Sequence, residues 1–181
     1  HFFELNEMEI FNVEKVATHG GSLRVYVQKE SGNKKVDASV DALLKEEYAS
    51  GMNKIESFKE FGERIHKIKN KITAHIKGLN QEATVIGYGA PAKATTLLNF
   101  CNITSDDIKT IIDDNPLKQN KILPGTGIPI VSSDILNDKE KLNIVILAWN
   151  FADEIVDNIK HKVNEETTFL TPLPIPKKIE I

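Results

Sequence analysis

Cys101 is the only cysteine among 181 residues, so a disulfide within the chain and a cysteine-rich zinc cluster are both excluded. Such a chain is expected in a reducing cytoplasm, with Cys101 serving as a small buried apolar side chain. Long apolar runs are also missing. No stretch approaches the ~18 residues of a membrane span, and no signal-peptide pattern is present. Excess charge of one sign is missing too: 23 Lys and Arg stand against 26 Asp and Glu, and no cationic cluster exceeds that of a solvated helix face. Neither nucleic acid nor membrane is an expected partner. The chain starts at His1 without Met, already inside an amphipathic stretch (Phe2, Phe3, Leu5), as an excised fragment or a tag remnant would.

What is present is an ordinary globular composition, 40% apolar and 27% charged, enough for one core and an appendage. Three segments differ in pattern. Residues 9–29 alternate apolar and polar positions (Ile10, Val13, Val16, then Leu23, Val25, Val27) around His-Gly-Gly-Ser, which predicts two antiparallel strands joined by a turn. An isolated hairpin is marginal in water, so it belongs to a larger sheet. Its unpaired edge predicts self-association, most simply a two-fold homodimer, unless it folds back on residues 53–79 and buries Phe58 and Phe61. Residues 53–79 place Ile55, Phe58, Phe61, Ile65, Ile68, Ile72, Ile76 and Leu79 at steps of three or four, a long amphipathic helix of about 40 Å, with Gly78 as its C-terminal cap. A shorter helix over 39–49 follows Asp37. His66 and His75, nine residues apart, lack the spacing of metal ligands.

From residue 82 onward, β-branched runs (84–86, 108–112, 128–131, 143–148, 168–170) alternate with helical stretches (91–101, 132–141, 151–163), the mark of βαβ units and a parallel sheet. The tail "TPLPIPKKIEI" reads as an extended edge or a C-terminal arm. The expected fold is α/β: a Rossmann-like doubly wound parallel sheet, preceded by a β-hairpin and a long amphipathic helix. The expected divisions are a hairpin over 1–30, a helical linker over 31–80 and a Rossmann-like domain over 81–181.

"TVIGYGAPAKATTLLNF" (84–100) then forms the first strand, turn and helix of that sheet. Gly87, Gly89 and Ala92 fit G-x-G-x-x-A, with Gly87 for a sharp turn and Gly89 for close approach of a phosphate to helix N-terminal amides. Asp113 follows Gly89 by 24 residues, near the ribose-binding acid of a dinucleotide fold, so NAD(P) binding is one reading. Pro91 and Lys93 favour another. A lysine in the first turn opposes the helix dipole unless it meets an anion, although a solvated lysine is the plain alternative. The carboxyl ends of the strands also gather Tyr88, Ala90, Asn115, Lys118, Gln119, Trp149 and Asn150. Trp149 is either a flat face for a base or sugar or a plug in the core. The glycine loop 123–130 either closes over a ligand or connects two elements.

Four ordered blocks, "HGGSLRVYV" (19–27), "GYGAPAKATTLLNF" (87–100), "IDDNPLKQNKILPGTGIPI" (112–130) and "LAWNFADEI" (147–155), resemble SAM-dependent C-methyltransferases of nucleotide-linked keto-deoxysugars. The resemblance runs from about residue 9 to the tail and implies the C-terminal domain of such an enzyme. It implies that the SAM site, and zinc in an N-terminal module, lie in other domains, with no cofactor bound by this fragment. Residues 9–29 would be the last strands of the methyltransferase sheet. The family's catalytic Glu-His segment should lie well before the His-Gly-Gly-Ser turn. His1 stands only eighteen residues before His19 with no preceding Glu, so it is not the base. His19 is the remaining catalytic candidate, beside its plain role in a turn, and Arg24 could meet a phosphate or a carboxylate. The implied substrate is a nucleoside diphosphate keto-deoxysugar, gripped by Gly87, Tyr88, Gly89, Ala90, Pro91, Lys93, Asp113, Asn115, Lys118, Gln119, Trp149 and Asn150. The fragment alone is expected to be inactive. The alternative is an NAD(P)-binding oxidoreductase domain, against which no Tyr-Lys or His-Asp relay follows residue 100.

Overall fold

The computed structural model describes residues 1–79, 83–138 and 140–179. They form two compact units, His1–Glu63 and Arg64–Ile181. In the first, β1 (Met8–Val16) and β2 (Ser22–Lys29) pair antiparallel, with an irregular register between Ile10 and Asn12. The alternation of residues 9–29 thus forms the hairpin it predicts. Helix α1 (Ala38–Ala49) begins where Asp37 accepts a hydrogen bond from Ser39 N–H at 2.8 Å, a side-chain cap for an otherwise unpaired helical donor. Ser39 Oγ in turn accepts from Val13 N–H and donates to Asn12, which fixes α1 to β1. Phe58 and Phe61 are 50% and 54% exposed, so the hairpin does not bury them. Helix α1 lies against β1 instead.

Helix α2 (Ile55–Leu79) runs past Gly78, which is helical and not the cap. In the second unit Ile72, Ile76 and Leu79 carry its apolar stripe into the core. The sheet contains β3 (Thr84–Tyr88), β4 (Ile111–Ile112), β5 (Ile130–Val131), β6 (Leu142–Ile146), β7 (Thr168–Thr171) and β8 (Lys177–Ile179), in the spatial order β5-β4-β3-β6-β7-β8. All neighbours are parallel except β7 and β8. The tail therefore ends as an antiparallel edge strand.

Period-two alternation sorts the strand side chains between two faces. Val85, Ile111, Val145 and Leu170 pack with α2 and with α3 (Ala92–Cys101). Ile86, Ile112, Ile144 and Phe169 pack with α4 (Ala152–Ile159) and the short 3-10 segment Ser133–Asp138. This is a three-layer, Rossmann-like α/β fold. The chain moves outward from β3 through β4 to β5, then returns to β6 beside β3 and moves outward the other way. The switch point lies between β3 and β6.

Strands β4, β5 and β6 are shorter than their β-branched runs. Ile108 is buried in a turn closed by its N–H on Thr104 O, Lys109 N–H and Thr110 O already bond to β3, and the strand proper is Ile111–Ile112. Of the stretch 132–141, Ser133–Asp138 form the 3-10 segment and not an α-helix, and residue 139 lies outside the described residues. Helix α4 stops at Ile159, with a 3-10 turn over Lys160–Lys162. Among the described residues no helix is long and apolar enough to cross a membrane.

Candidate functional site

Gly87 sits inside β3, where a Cβ would lie 2.8 Å from both Ile111 Cγ1 and Leu147 Cδ1. Its absent side chain serves packing against neighbouring strands, not the sharp turn expected of it. The turn belongs to Gly89, whose φ of +86° favours glycine and whose Cβ would approach Ala148 Cβ to 2.8 Å. Two strand ends are thereby drawn together at the switch point. Tyr88, between the glycines, donates its phenol to Asp114 at 2.8 Å. Burial, then the Asp114 carboxylate, pushes the phenol pKa well up, so the group stays a protonated donor.

The next residues are held by an internal network. Asp113, 7% exposed, accepts from Ala90 N–H at 2.7 Å and Lys118 Nζ at 3.0 Å on one oxygen, and from Asn115 N–H at 3.0 Å on the other. Lys118 also donates to Ala90 O, and Gln119 donates to Asp113 O. Burial alone would raise the Asp113 pKa, but these donors outweigh it and hold the carboxyl below its ordinary value. Asn115 closes its own small turn by accepting from Leu117 N–H. Asp113, Asn115, Lys118 and Gln119 therefore fasten the turn after β3 to the end of β4. Gly89 N–H is likewise taken by Ile112 O.

Helix α3 starts after Pro91, which has no capping side chain. Lys93, in the first turn, has its Nζ 4.0 Å from the ring centre of Trp149, a cation–π contact. Burial pushes its ammonium pKa down, and no carboxylate pairs with it among the described residues. Trp149 is half-buried, so it is no core plug, and with Asn150 and Phe151 it forms a 3-10 turn at the end of β6. This turn divides two clefts. One, of about 470 Å³, is walled by Tyr88, Asp113, Asp114, Phe151, Glu154 and Asn158. The other, of about 520 Å³, is walled by Trp149, Asn150, Asp153, Thr171, Lys177 and Lys178.

The structure thus brings Gly89, Ala90, Pro91, Lys93, Trp149 and Asn150 to one sheet edge, with Tyr88 and Asp113 directly behind. Asp114, Phe151 and Glu154 were missed in the sequence reading, and the only available signal for Asp114 was its adjacency to Asp113. The loop 123–130 is fixed by buried Leu123, Thr126 and Ile128 and by Asn99 donating to Pro124 O, so it connects elements and does not close over the edge. His19 lies in the hairpin turn of the first unit, exposed and at φ +57°. Arg24 reaches Glu14 at 3.4 Å, so the carboxylate reading of that residue is the one observed. Among the described residues no group of three or more His, Cys, Asp or Glu could hold a metal.

A three-layer α/β fold with its glycine turn, lysine and tryptophan gathered at the switch point defines a Rossmann-like domain with a candidate site at that point. The family described as the C-methyltransferase C-terminal domain matches residues 17–174, and the chain belongs to it. It is 33% identical over 178 residues to C-methyltransferase NovU of Streptomyces niveus, an alignment covering 98% of this chain and 42% of that protein. The chain spans less than half the length of that relative.

Proposed function

We propose that this domain grips the nucleotide part of a nucleoside diphosphate keto-deoxysugar for a SAM-dependent C-methyltransferase. The observation that carries the reading is Lys93, held over Trp149 in the first turn of α3 without a carboxylate partner among the described residues. A diphosphate at that place would meet the ammonium and the first amides of α3, Ala92 and Lys93. Gly89 and Ala90 cannot contribute amides, since Ile112 O and Asp113 already occupy them. Trp149 and Asn150 supply a flat face and an amide for the rest of the ligand, while the Tyr88 phenol is occupied by Asp114 and holds that carboxylate in place.

Carbon methylation of a keto-sugar needs a base for the proton beside the ketone, donors for the enolate oxygen, and the carbanion aligned with the methyl group. Gripping the remote nucleotide is how binding energy is brought to that alignment. SAM supplies the methyl group when bound in the complete enzyme. The switch point here does not fit an adenosine ribose, because Asp113, at the position of the ribose acid, is occupied by Ala90 and Lys118. The same occupancy disfavours the NAD(P) oxidoreductase reading. The grip is assigned to this domain, and both the base and the methyl donor site to the rest of the enzyme.

Calorimetry with uridine or thymidine diphosphate, and separately with NAD and SAM, tests this. The expected result is a nucleoside diphosphate isotherm that Lys93→Ala weakens by about 1.5 to 3 kcal/mol, the range for a hydrogen bond to a charged group. Unchanged affinity in Lys93→Ala removes the role of Lys93, and a clear SAM or NAD isotherm overturns the assignment.

A further inference from the structure

On the face of the sheet covered by α2 and α3, the two helices leave an open groove of about 440 Å³ whose lining is almost wholly apolar. Ile65, Ile68 and Ile72 form the α2 wall, Leu97 and Phe100 the α3 wall, and Leu173 closes one side. The spacing explains the shape. Positions 65, 68 and 72 on one helix and 93, 97 and 100 on the other each present one stripe over seven residues, about 10 Å by helical rise. Trp149 and Lys93 stand at one end of the α3 stripe, and Phe100 with Lys69 at the other.

Both lysines lie over aromatic rings, Lys93 4.0 Å from Trp149 and Lys69 4.8 Å from Phe100. Neither meets a carboxylate among the described residues, and α2 carries no acidic residue from 64 to 79 while Lys67, Lys69, Lys71 and Lys77 lie on it. An apolar trough bordered by two such cations is complementary to one kind of occupant. A neutral apolar ligand would leave the cations unanswered, and a small hydrophilic anion would leave the trough wet. The volume is that of a small-molecule site.

We propose that the groove binds a small anionic ligand through its apolar ring or chain, with the phosphate or carboxylate head at Lys93 and the apolar body lying along α3 towards Phe100. The proposal rests on the reading of Lys93 as an anion contact. It adds a compartment for the apolar body on the helical side of the sheet, which shares Trp149 and Leu173 with the second of the two clefts at the strand ends. A nucleobase attached to the diphosphate and the body of an unrelated amphiphilic acid share this chemistry.

Titration with 1-naphthyl phosphate, followed by fluorescence and calorimetry beside inorganic phosphate, tests it. The expected result is one saturable site, at least tenfold tighter for 1-naphthyl phosphate. Thr96→Trp, at an exposed position lining the groove, should fill the trough and abolish that preference. Lys69→Glu, which brings a carboxylate to the rim without altering the core, should weaken 1-naphthyl phosphate binding several-fold and keeps the test valid if Thr96→Trp fails to fold. Equal affinity for the two phosphates overturns the proposal, as does a preference that survives Thr96→Trp or a 1-naphthyl phosphate affinity that Lys69→Glu leaves unchanged. Uridine diphosphate separates the sources. Affinity lost with Thr96→Trp puts the nucleobase in the groove, and affinity retained there, beside lost 1-naphthyl phosphate binding, makes the occupant a separate amphiphile. Failure of uridine diphosphate with intact 1-naphthyl phosphate binding removes the nucleotide reading and keeps the groove; the reverse removes the groove.

Discussion

Gly89 carries two constraints at once, a left-handed backbone and a Cβ position 2.8 Å from Ala148 Cβ. Gly89→Ala should destabilise the fold by about 1 to 3 kcal/mol, since neither the backbone nor a neighbouring strand end can yield cheaply. Chemical denaturation checks this, and a loss under about half a kcal/mol would show that the turn relaxes. Asp113 makes a prediction with a sign. Its folded pKa lies below the ordinary carboxylate value of about 3.9, so its contribution is present above that pH and is lost as pH falls through the folded pKa. Asp113→Asn should therefore cost about 1.5 to 3 kcal/mol at neutral pH, with the gap to the parent narrowing below about pH 4. A pH-independent gap in urea midpoints would contradict this. At this scale the G-x-G spacing was legible, but not which glycine turns the chain. Gly87 is required by Ile111 and Leu147, 24 and 60 residues away in sequence, and local spacing carries no trace of such neighbours. Asp113 was likewise visible as an acid at the right distance, while its engagement by Ala90 and Lys118 depends on where β4 places it.

Among the described elements, each α-helix falls on a stretch read as helical, α2 by its periodicity and α1 by Asp37, while 132–141, read as helical too, holds a 3-10 segment. Strand lengths were less legible, because a β-branched run reports burial and not hydrogen-bonded pairing. Residues 108–112 hold four β-branched side chains, yet the turn at Thr104–Ile108 uses the first of them and the strand proper is Ile111–Ile112. The end of α2 shows a second limit. Gly78 fits a cap by composition, but the helix continues to Leu79, whose carbonyl accepts from the buried Asn143 side chain at 3.0 Å. A polar residue in the middle of the β6 apolar run thus satisfies a helix-end carbonyl 64 positions earlier. Leu79 O also accepts from Ala83 N–H at 3.4 Å, so Asn143→Leu should leave it with that longer bond alone and lower stability by about 1 kcal/mol, read from thermal or denaturant unfolding. An unchanged midpoint would mean that another donor replaces it.

For the whole molecule, the α/β class and the strand sequence followed from alternation of patterns, and of the two readings of the tail, an extended edge or an arm, the edge is observed, whereas the two-unit division at Glu63 and Arg64 falls inside one uninterrupted helix and has no composition signal. The hairpin keeps Leu23 and Val25 at 46% and 37% exposure even with α1 beside it. Apolar surface and an open strand edge favour association, so light scattering should show a concentration-dependent dimer that Val25→Lys weakens. A chain that stays monomeric at high concentration rules this out. The six-stranded sheet is protected differently at its two rims. On one side β5 offers a ladder of only two residues, and on the other β8 runs counter to its neighbours and carries Lys177 and Lys178, both exposed. A stranger's strand arriving at either rim would find too short a template or a doubled positive charge, so fibril growth by templated addition has no foothold on this sheet.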